Sequence, residues 1–146
     1  QLNRLQPMIE ARRQIAFRYW KGLQVTPGLD HVWWLDEVNH DQWPSYWLSC
    51  LKVQDPNHRL PLIQYARQQG IELRPFFKPL PSIKPFAGQH PNASYQFPNT
   101  QACWQRGICL PSSHWLSERD QARVIETIQA GLAHCLEQAI AKSPPV

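Results

Sequence analysis

The sequence of 146 residues lacks long apolar runs and the residue pattern of a signal peptide. No apolar stretch reaches the roughly 18 residues that a membrane-spanning helix needs, which argues against an integral membrane protein. The charged start, apolar middle and small-residue cleavage site of a signal peptide are also missing. We therefore expect a soluble, cytoplasmic protein.

Closely spaced cysteine pairs are absent as well. The four cysteines, Cys50, Cys103, Cys109 and Cys135, show none of the CxxC spacing that is typical of zinc sites. Disulfide frameworks are typical of smaller secreted domains. We expect reduced and mostly buried thiols.

Charge is sparse and nearly balanced. Charged residues make up 18% and hydrophobic residues 42%, a globular composition that predicts one domain over residues 1–146. A net charge of +4 is compatible with attraction to a nucleotide-sugar diphosphate, an acidic surface or nucleic acid. It is more typical of a solvated helix face, so we expect no nucleic-acid partner.

Proline and tryptophan, in contrast, are abundant, with 14 and 7 copies. Each proline fixes its own backbone angle and disfavours helix in the preceding residue. We expect an irregular segment over 75–98, with one helical turn near Phe86. The segment 31–44 is also predicted to be a loop, with one short extended piece.

Helical patterns mark both ends of the chain. Apolar residues at intervals of three and four predict a helix over 3–21, and because the chain starts inside this pattern we expect it to be a piece of a larger protein. A second helix is predicted over 58–69, ended by Gly70, and a short one from an Asn99 cap to Arg106. Ser117 and Asp120 form a capping box before a long final helix. Its inward stripe is Ile125, Ile128, Leu132, Leu136 and Ile140.

Three segments are predicted as strands: 46–53, 71–74 and 108–110. We expect the first two to pair with each other. With the helices, they predict an α/β (α+β) domain.

Three stretches carry a family resemblance. They are QLNRLQPMIEARRQIAFRY (1–19), GIELRPFFKPL (70–80) and RGICLPSSHWLSERDQARVIETI (106–128). In this order and spacing they resemble the end of DegT/DnrJ/StrS-type aminotransferases, which use pyridoxal phosphate (PLP) and act on nucleotide-linked keto-sugars. The resemblance covers essentially the whole chain.

The resemblance implies the small C-terminal domain of the aspartate-aminotransferase-like fold, a short antiparallel sheet packed with a long first and a long last helix. A large PLP-binding domain upstream would then be its partner and would hold the Schiff-base lysine and the phosphate-binding groups. None of the lysines of this chain stands in a motif similar to that of the family lysine; they are Lys21, Lys52, Lys78, Lys84 and Lys142. We therefore expect no catalytic residue, no bound PLP and no transamination in this chain alone.

The same resemblance implies substrate contacts in the stretch after the second helix. Arg74 and Lys78 are expected to contact the diphosphate or the sugar, and Phe76 and Phe77 to form a wall of the site. Pro81 stands where the family usually has a histidine, so the substrate is left open.

Three other kinds of site fit the sequence less well: a metal site, a serine nucleophile and a base-stacking surface. A metal site from His31, Asp36, Glu37, His40 and Asp41 lacks helical or paired-cysteine spacing, so no metal is expected. Ser112, Ser113 and His114 lack the strand-turn-helix elbow of a serine nucleophile. The tryptophans at 33, 34, 43 and 47 are more typical of a core or interface than of base stacking.

Two function classes remain open: a domain of a PLP-dependent aminotransferase, and a stand-alone binding or assembly module without enzymatic activity. If the large domain is absent, several of the tryptophans lie on a surface built to be covered, which predicts self-association, with the first helix pairing between copies to give a homo-oligomer.

Overall fold

The structure, a computed structural model, describes residues 2–33, 44–84, 86 and 97–142. Within these ranges it contains four α-helices and four strands. In chain order they are α1 (Leu5–Leu23), β1 (Leu29–Val32), β2 (Ser49–Val53), α2 (Arg59–Gln68), β3 (Arg74–Pro75), α3 (Pro98–Arg106), β4 (Gly107–Leu110) and α4 (Glu118–Lys142). Single 3-10 turns lie at Leu2–Arg4, Pro56–His58 and Leu80–Ser82.

The strands form one antiparallel sheet in the order β1-β2-β4-β3. The expected pairing of 46–53 with 71–74 is wrong, because β4 lies between β2 and β3. The strand predicted over 71–74 is shorter and begins later, since β3 comprises Arg74–Pro75. All four residues of β4 are buried, as an interior strand requires. Pro75 has no N–H to donate, so it suits the edge position that β3 occupies.

One face of the sheet carries the hydrophobic core. Leu51 of β2 lies opposite Ile108 of β4, and both are fully buried. The helices α1, α2 and α4 pack over this face through Tyr19, Leu62 and Leu132, each without exposed surface. This arrangement is the α+β domain that the sequence predicts.

The two halves of α1 differ in burial. Ile15, Ala16 and Tyr19 are buried, as the helical period predicts. Leu5, near the start of the same stripe, is 50% exposed, and nearby Trp115 is 78% exposed. The described residues therefore cover only the second half of the apolar stripe.

The predicted C-terminal end of α2 and the predicted capping box at the start of α4 are both confirmed. Gly70 has a φ of +73° and follows α2 in a Schellman arrangement, with Ile71 N–H donating to the Ala66 carbonyl at 2.9 Å. The Ser117 hydroxyl accepts from the N–H of Asp120 at 3.1 Å and donates to its carboxylate at 2.6 Å.

The start of α3 differs from its prediction. The short helix begins at Pro98, without a side-chain cap at Asn99, since a proline fits the first helical turn.

All four cysteines are free thiols, three of them buried and Cys103 half-buried, as expected. Among the described helices, none has the length and apolar character that crossing a membrane would require.

Some predicted features lie outside the described residues. They include most of the loop at 31–44 and, within the irregular segment at 75–98, residues 85 and 87–96, which flank the expected turn near Phe86. In the described part of that segment, a 3-10 turn lies at Leu80–Ser82, and the Phe86 N–H donates to the Ile83 carbonyl at 2.7 Å. The described part of the first loop contains the end of β1, the extended piece that was expected there.

Candidate functional site

The second face of the sheet, called here the outer face, points away from the core. Side chains alternate between the two faces of a strand, so the neighbours of Leu51 and Ile108 lie on the outer face. On β2 and β4 these are Cys50, Lys52 and Cys109. Arg74 lies opposite Cys109 and therefore shares this face.

An aromatic row crosses the outer face through ring-to-ring contacts. Its members are His31, Trp33, Phe76, Phe77 and Trp47, with successive centroid distances of 5.3, 6.1, 5.8 and 6.2 Å. The Trp33 and Phe76 rings are stacked with an interplanar angle of 13°. Phe77 and Trp47 are 59% and 65% exposed, so one end of the row is open to solvent. Stacked and tilted aromatic pairs of this kind add about 0.5–1.5 kcal/mol each beyond their buried area.

Gly107 allows the row to approach the sheet. The N–H of Phe76 donates to the Gly107 carbonyl at 3.0 Å. A Cβ at Gly107 would lie 2.7 Å from the Cβ of Phe76 and 2.5 Å from the carbonyl oxygen of Cys103. In the sequence, Gly107 only follows the predicted end of the short helix at Arg106, and this point of closest approach was not predicted.

Beneath the row, two thiols face each other across β2 and β4. Cys50 and Cys109 are directly opposed, and their Sγ atoms are 3.8 Å apart. The hydrogen bond from Cys50 holds the pKa of the Cys109 thiol below its usual value, and the Arg74 charge acts in the same direction. The same hydrogen bond, followed by burial, raises the pKa of the Cys50 thiol.

Arg74 lies at the margin of a cleft beside the outer face. Its Nε and a terminal nitrogen both lie 3.0 Å from one Glu72 carboxylate oxygen, and both side chains are about three-quarters exposed. An ion pair this exposed is worth about 0–1 kcal/mol, so Arg74 can exchange Glu72 for another anion at little cost. The cleft has a volume of about 440 Å³ and is also lined by Cys109, Ser112, Asp120 and Arg123.

Lys78 and Lys52 do not line the cleft at Arg74 and contact other residues instead. The Lys78 ammonium is 5.9 Å from the centroid of the Trp104 ring on α3. The Lys52 ammonium donates to the Asp30 carboxylate at 2.7 Å, and this hydrogen bond lowers the pKa of Asp30. Lys52 is thus occupied by an ion pair within the sheet.

The predicted site residues are only partly brought together. Phe76 and Phe77 share the aromatic row, and Arg74 shares the outer face with Phe76. Lys78 stands apart at α3. The thiol pair was not predicted as part of this surface, although both cysteines belong to strands that the sequence predicts.

The clefts of the described residues can be compared with what PLP needs. A Schiff-base lysine must reach a pocket, and four clefts in this part of the chain have no lysine in their lining. Among the lysines whose side chains are described, Lys52 is paired with Asp30 and Lys78 lies over Trp104. This arrangement does not fit the group, and no chemistry through it follows from these residues.

The alternative sites also find no support in the described part of the chain. No group of three metal-ligating side chains occurs there, although Asp36, Glu37, His40 and Asp41 lie outside it. The Ser112 hydroxyl accepts from Ser49 N–H at 2.7 Å and donates to the Leu110 carbonyl at 2.8 Å. That hydroxyl therefore ties the segment after β4 to β2.

Comparison with known proteins places this geometry among aminotransferases. Residues 1–129 match the model of the DegT/DnrJ/EryC1/StrS aminotransferase family. EpsN of Bacillus subtilis (strain 168), which carries the name of a pyridoxal phosphate-dependent aminotransferase, is 32% identical over 132 residues. GDP-perosamine synthase of Vibrio cholerae is 31% identical over 127 residues. These matches include 88% and 86% of this chain and 32% of each relative.

A solved structure shows the same fold. The aminotransferase TlmJ from Streptoalloteichus hindustanus superposes with a TM-score of 0.75 at 25% identity, over 92% of this chain and 34% of that one. The chain thus spans about a third of the length of the proteins that it matches.

Proposed function

Because this chain belongs to the DegT/DnrJ/EryC1/StrS aminotransferase family, we propose that it is the C-terminal small domain of a PLP-dependent aminotransferase that acts on a nucleotide-linked keto-sugar. The match of the family model over residues 1–129 carries this proposal. The name of the Vibrio cholerae relative, a GDP-perosamine synthase, supports a nucleotide-linked substrate class.

The proposed division of labour follows from the lysines. PLP supplies the carbonyl that binds the amino group, and its ring accepts the electron pair left when a bond breaks at the neighbouring carbon. Four clefts in the described part of this chain have no lysine in their lining, which supports assigning the cofactor to a large domain that is a partner of this one. This chain on its own is then inactive.

The contribution of this domain is to bind the substrate. The Arg74 guanidinium is exposed, pairs with Glu72 among the described residues, and carries a fork of donors that matches two phosphate oxygens. The adjacent aromatic row presents Phe77 and Trp47 as a wall against which a sugar or base ring can stack. We assign Arg74 to the diphosphate, Phe76 and Phe77 to the wall, and Lys78 to the sugar or the diphosphate from its place at Trp104.

The test of substrate binding uses UDP, GDP and dTDP as probes with the protein at its natural length. We expect at least one of these nucleotides to bind the wild type. Arg74→Gln is expected to weaken that binding about tenfold or more, because a charge-assisted hydrogen bond is lost. Arg119→Gln removes the same charge from an exposed position on α4 and serves as the matched control. Equal affinities for the two variants in isothermal titration calorimetry would remove Arg74 from the site.

The test of the cofactor assignment uses borohydride. PLP and borohydride are added to residues 1–146 alone, and the digest is searched for a pyridoxyl group on lysine. We expect no site-specific adduct, whereas the protein at its natural length is expected to carry one outside this chain. A stoichiometric adduct on one lysine of residues 1–146 would refute the proposed division.

The uncovered apolar surface supports an assembly role beside catalysis. Leu5, Met8 and Trp115 line an apolar cleft of about 700 Å³ at the start of α1. We propose that the large domain or a second copy covers it, and that residues 1–146 alone self-associate. Light scattering after size exclusion is expected to give a mass above one chain, and a strict monomer at high concentration would contradict this part of the proposal.

A further inference from the structure

The opposed thiols of the outer face have the geometry that a disulfide needs. Directly opposed residues of an antiparallel pair have Cα atoms about 4.5–5.5 Å apart, which lies within the roughly 4.4–6.8 Å spanned by disulfides. Cys50 and Cys109 occupy such positions, with their sulfur atoms already 3.8 Å apart and hydrogen-bonded. Side-chain rotation with little strand movement therefore brings the two sulfurs into bonding distance.

We propose that Cys50 and Cys109 are an oxidant-sensitive dithiol that closes to a cross-strand disulfide when the protein meets a peroxide. This inference goes beyond the proposed function, since it needs neither the cofactor nor the substrate. It assigns a covalent modification site to a pair of residues that substrate binding does not use.

The chemistry balances in two steps. The Cys109 thiolate attacks one peroxide oxygen, the O–O bond breaks, and Cys109 becomes a sulfenic acid while the departing hydroxide takes up a proton as water. The Cys50 sulfur then attacks the Cys109 sulfur and the S–O bond breaks, so that hydroxide leaves with the Cys50 proton as a second water. Two thiols lose two electrons in total, and one peroxide is reduced to two waters.

The structure distinguishes the roles of the two sulfurs. Cys109 is 6% exposed and is one of the residues that line the cleft beside Arg74, which places it at a surface opening that a small oxidant can enter. Its pKa is lowered by the hydrogen bond from Cys50 and by Arg74, which favours the reactive thiolate. Cys50 does not line that cleft and donates the hydrogen bond, which suits it to the second step.

The other two cysteines provide controls within the same chain. Cys103 lies half-buried on α3 and Cys135 is buried on α4. Burial raises the pKa of the Cys135 thiol, which reduces its reactivity. A general sensitivity of thiols to oxidation would therefore affect the more accessible Cys103 first.

The experiment treats the native protein at its natural length with hydrogen peroxide, blocks the remaining thiols with an alkylating agent, and maps unreduced peptides by mass spectrometry. We expect one linked pair containing Cys50 and Cys109, lighter by two hydrogens than the sum of its free peptides and separated again by dithiothreitol. Cys103 and Cys135 are expected to be recovered as alkylated thiols.

Two variants test the order of the steps. With Cys109→Ser, Cys50 is expected to remain reduced. With Cys50→Ser, Cys109 is expected to be trapped by dimedone as a sulfenic acid, while Cys103→Ser leaves the linkage intact. The wild-type peptide map does not depend on how these variants fold, and it overturns the proposal if both thiols stay free, if Cys103 reacts first, or if the disulfide joins two chains.

Discussion

Tyr19 links the stability of the fold to alkaline pH. Its ring has no exposed surface in the core, and its hydroxyl donates to the Pro111 carbonyl at 3.0 Å. Burial raises the pKa of Tyr19 because a phenolate in the core would lose its hydration. The folded state therefore holds the phenolic proton more tightly than the unfolded state does.

The sign and size of the effect follow from linkage. In the unfolded chain the phenol titrates near pH 10, so above that pH the unfolded state gains free energy by losing a proton that the folded state keeps. The stability associated with this proton is complete below about pH 10 and is lost as the pH rises toward the folded pKa. Between about pH 9 and about pH 11 the protein should lose about 1.4 kcal/mol through this single group.

The assay compares urea unfolding of the wild type and Tyr19→Phe across this range. At neutral pH the variant should be about 0.5–1.5 kcal/mol less stable, because the half-buried Pro111 carbonyl loses its donor. By about pH 11 the difference should shrink by about 1.4 kcal/mol, since the phenylalanine has no proton to release. Phe17→Leu, which removes no titratable group from the same helix, should show a pH-independent difference. A constant gap between wild type and Tyr19→Phe from about pH 9 to 11 would refute the reasoning.

Three further changes test the core, a helix cap and an ion pair by urea unfolding. Leu132→Ala empties a fully buried site on α4 and should cost about 2–5 kcal/mol, whereas Ile140→Ala, at a side chain that is 75% exposed, should stay within about 0.5 kcal/mol. Ser117→Ala removes the cap of α4 and should cost about 0.5–2 kcal/mol, with Ser117→Thr retaining most of it; an unchanged midpoint would contradict the cap. Asp30→Asn should cost less than about 1 kcal/mol near neutral pH, because the pair with Lys52 is partly exposed. The Lys52 hydrogen bond lowers the pKa of Asp30, so this stability is present above the unfolded pKa of about 4 and should vanish as the pH falls through the folded pKa; a cost that persists in acid would contradict it.

The helices could be predicted because their signals are local. The start of α4 is fixed by Ser117 and Asp120, and the end of α2 by Gly70, whose positive φ a residue with a side chain rarely adopts. Neither signal depends on what lies elsewhere in the chain. The apolar start of α1 departs from its pattern, because burial of Leu5 requires a covering surface that the described residues do not provide. The start of α3 also departs from its prediction, because Pro98 begins the helix before Asn99.

The strand order could not be predicted in the same way. Periodicity shows that a segment is extended, but it does not show which neighbour it pairs with. The available signal was the composition of β4, whose Ile108, Cys109 and Leu110 are all apolar, as in a strand with neighbours on both sides. Pro75 marked β3 as an edge strand, and together these two features favour β4 as the interior strand.

The outer face shows how far a strand period can assign a site. Arg74 and Phe76 are two residues apart, so their sharing one face follows from the alternation of an extended chain, in β3 and one residue beyond it. Phe77 and Lys78 follow after the strand ends, and ring contacts with Trp47 and Trp104 decide their positions. The opposition of Cys50 to Cys109 depends on the register of two strands far apart in sequence, which in turn depends on Leu51 meeting Ile108 in the core. A slip of β2 by one residue would turn Cys50 toward the helices and Leu51 toward the outer face, so the burial of Leu51 is what keeps the Cys50 sulfur facing that of Cys109.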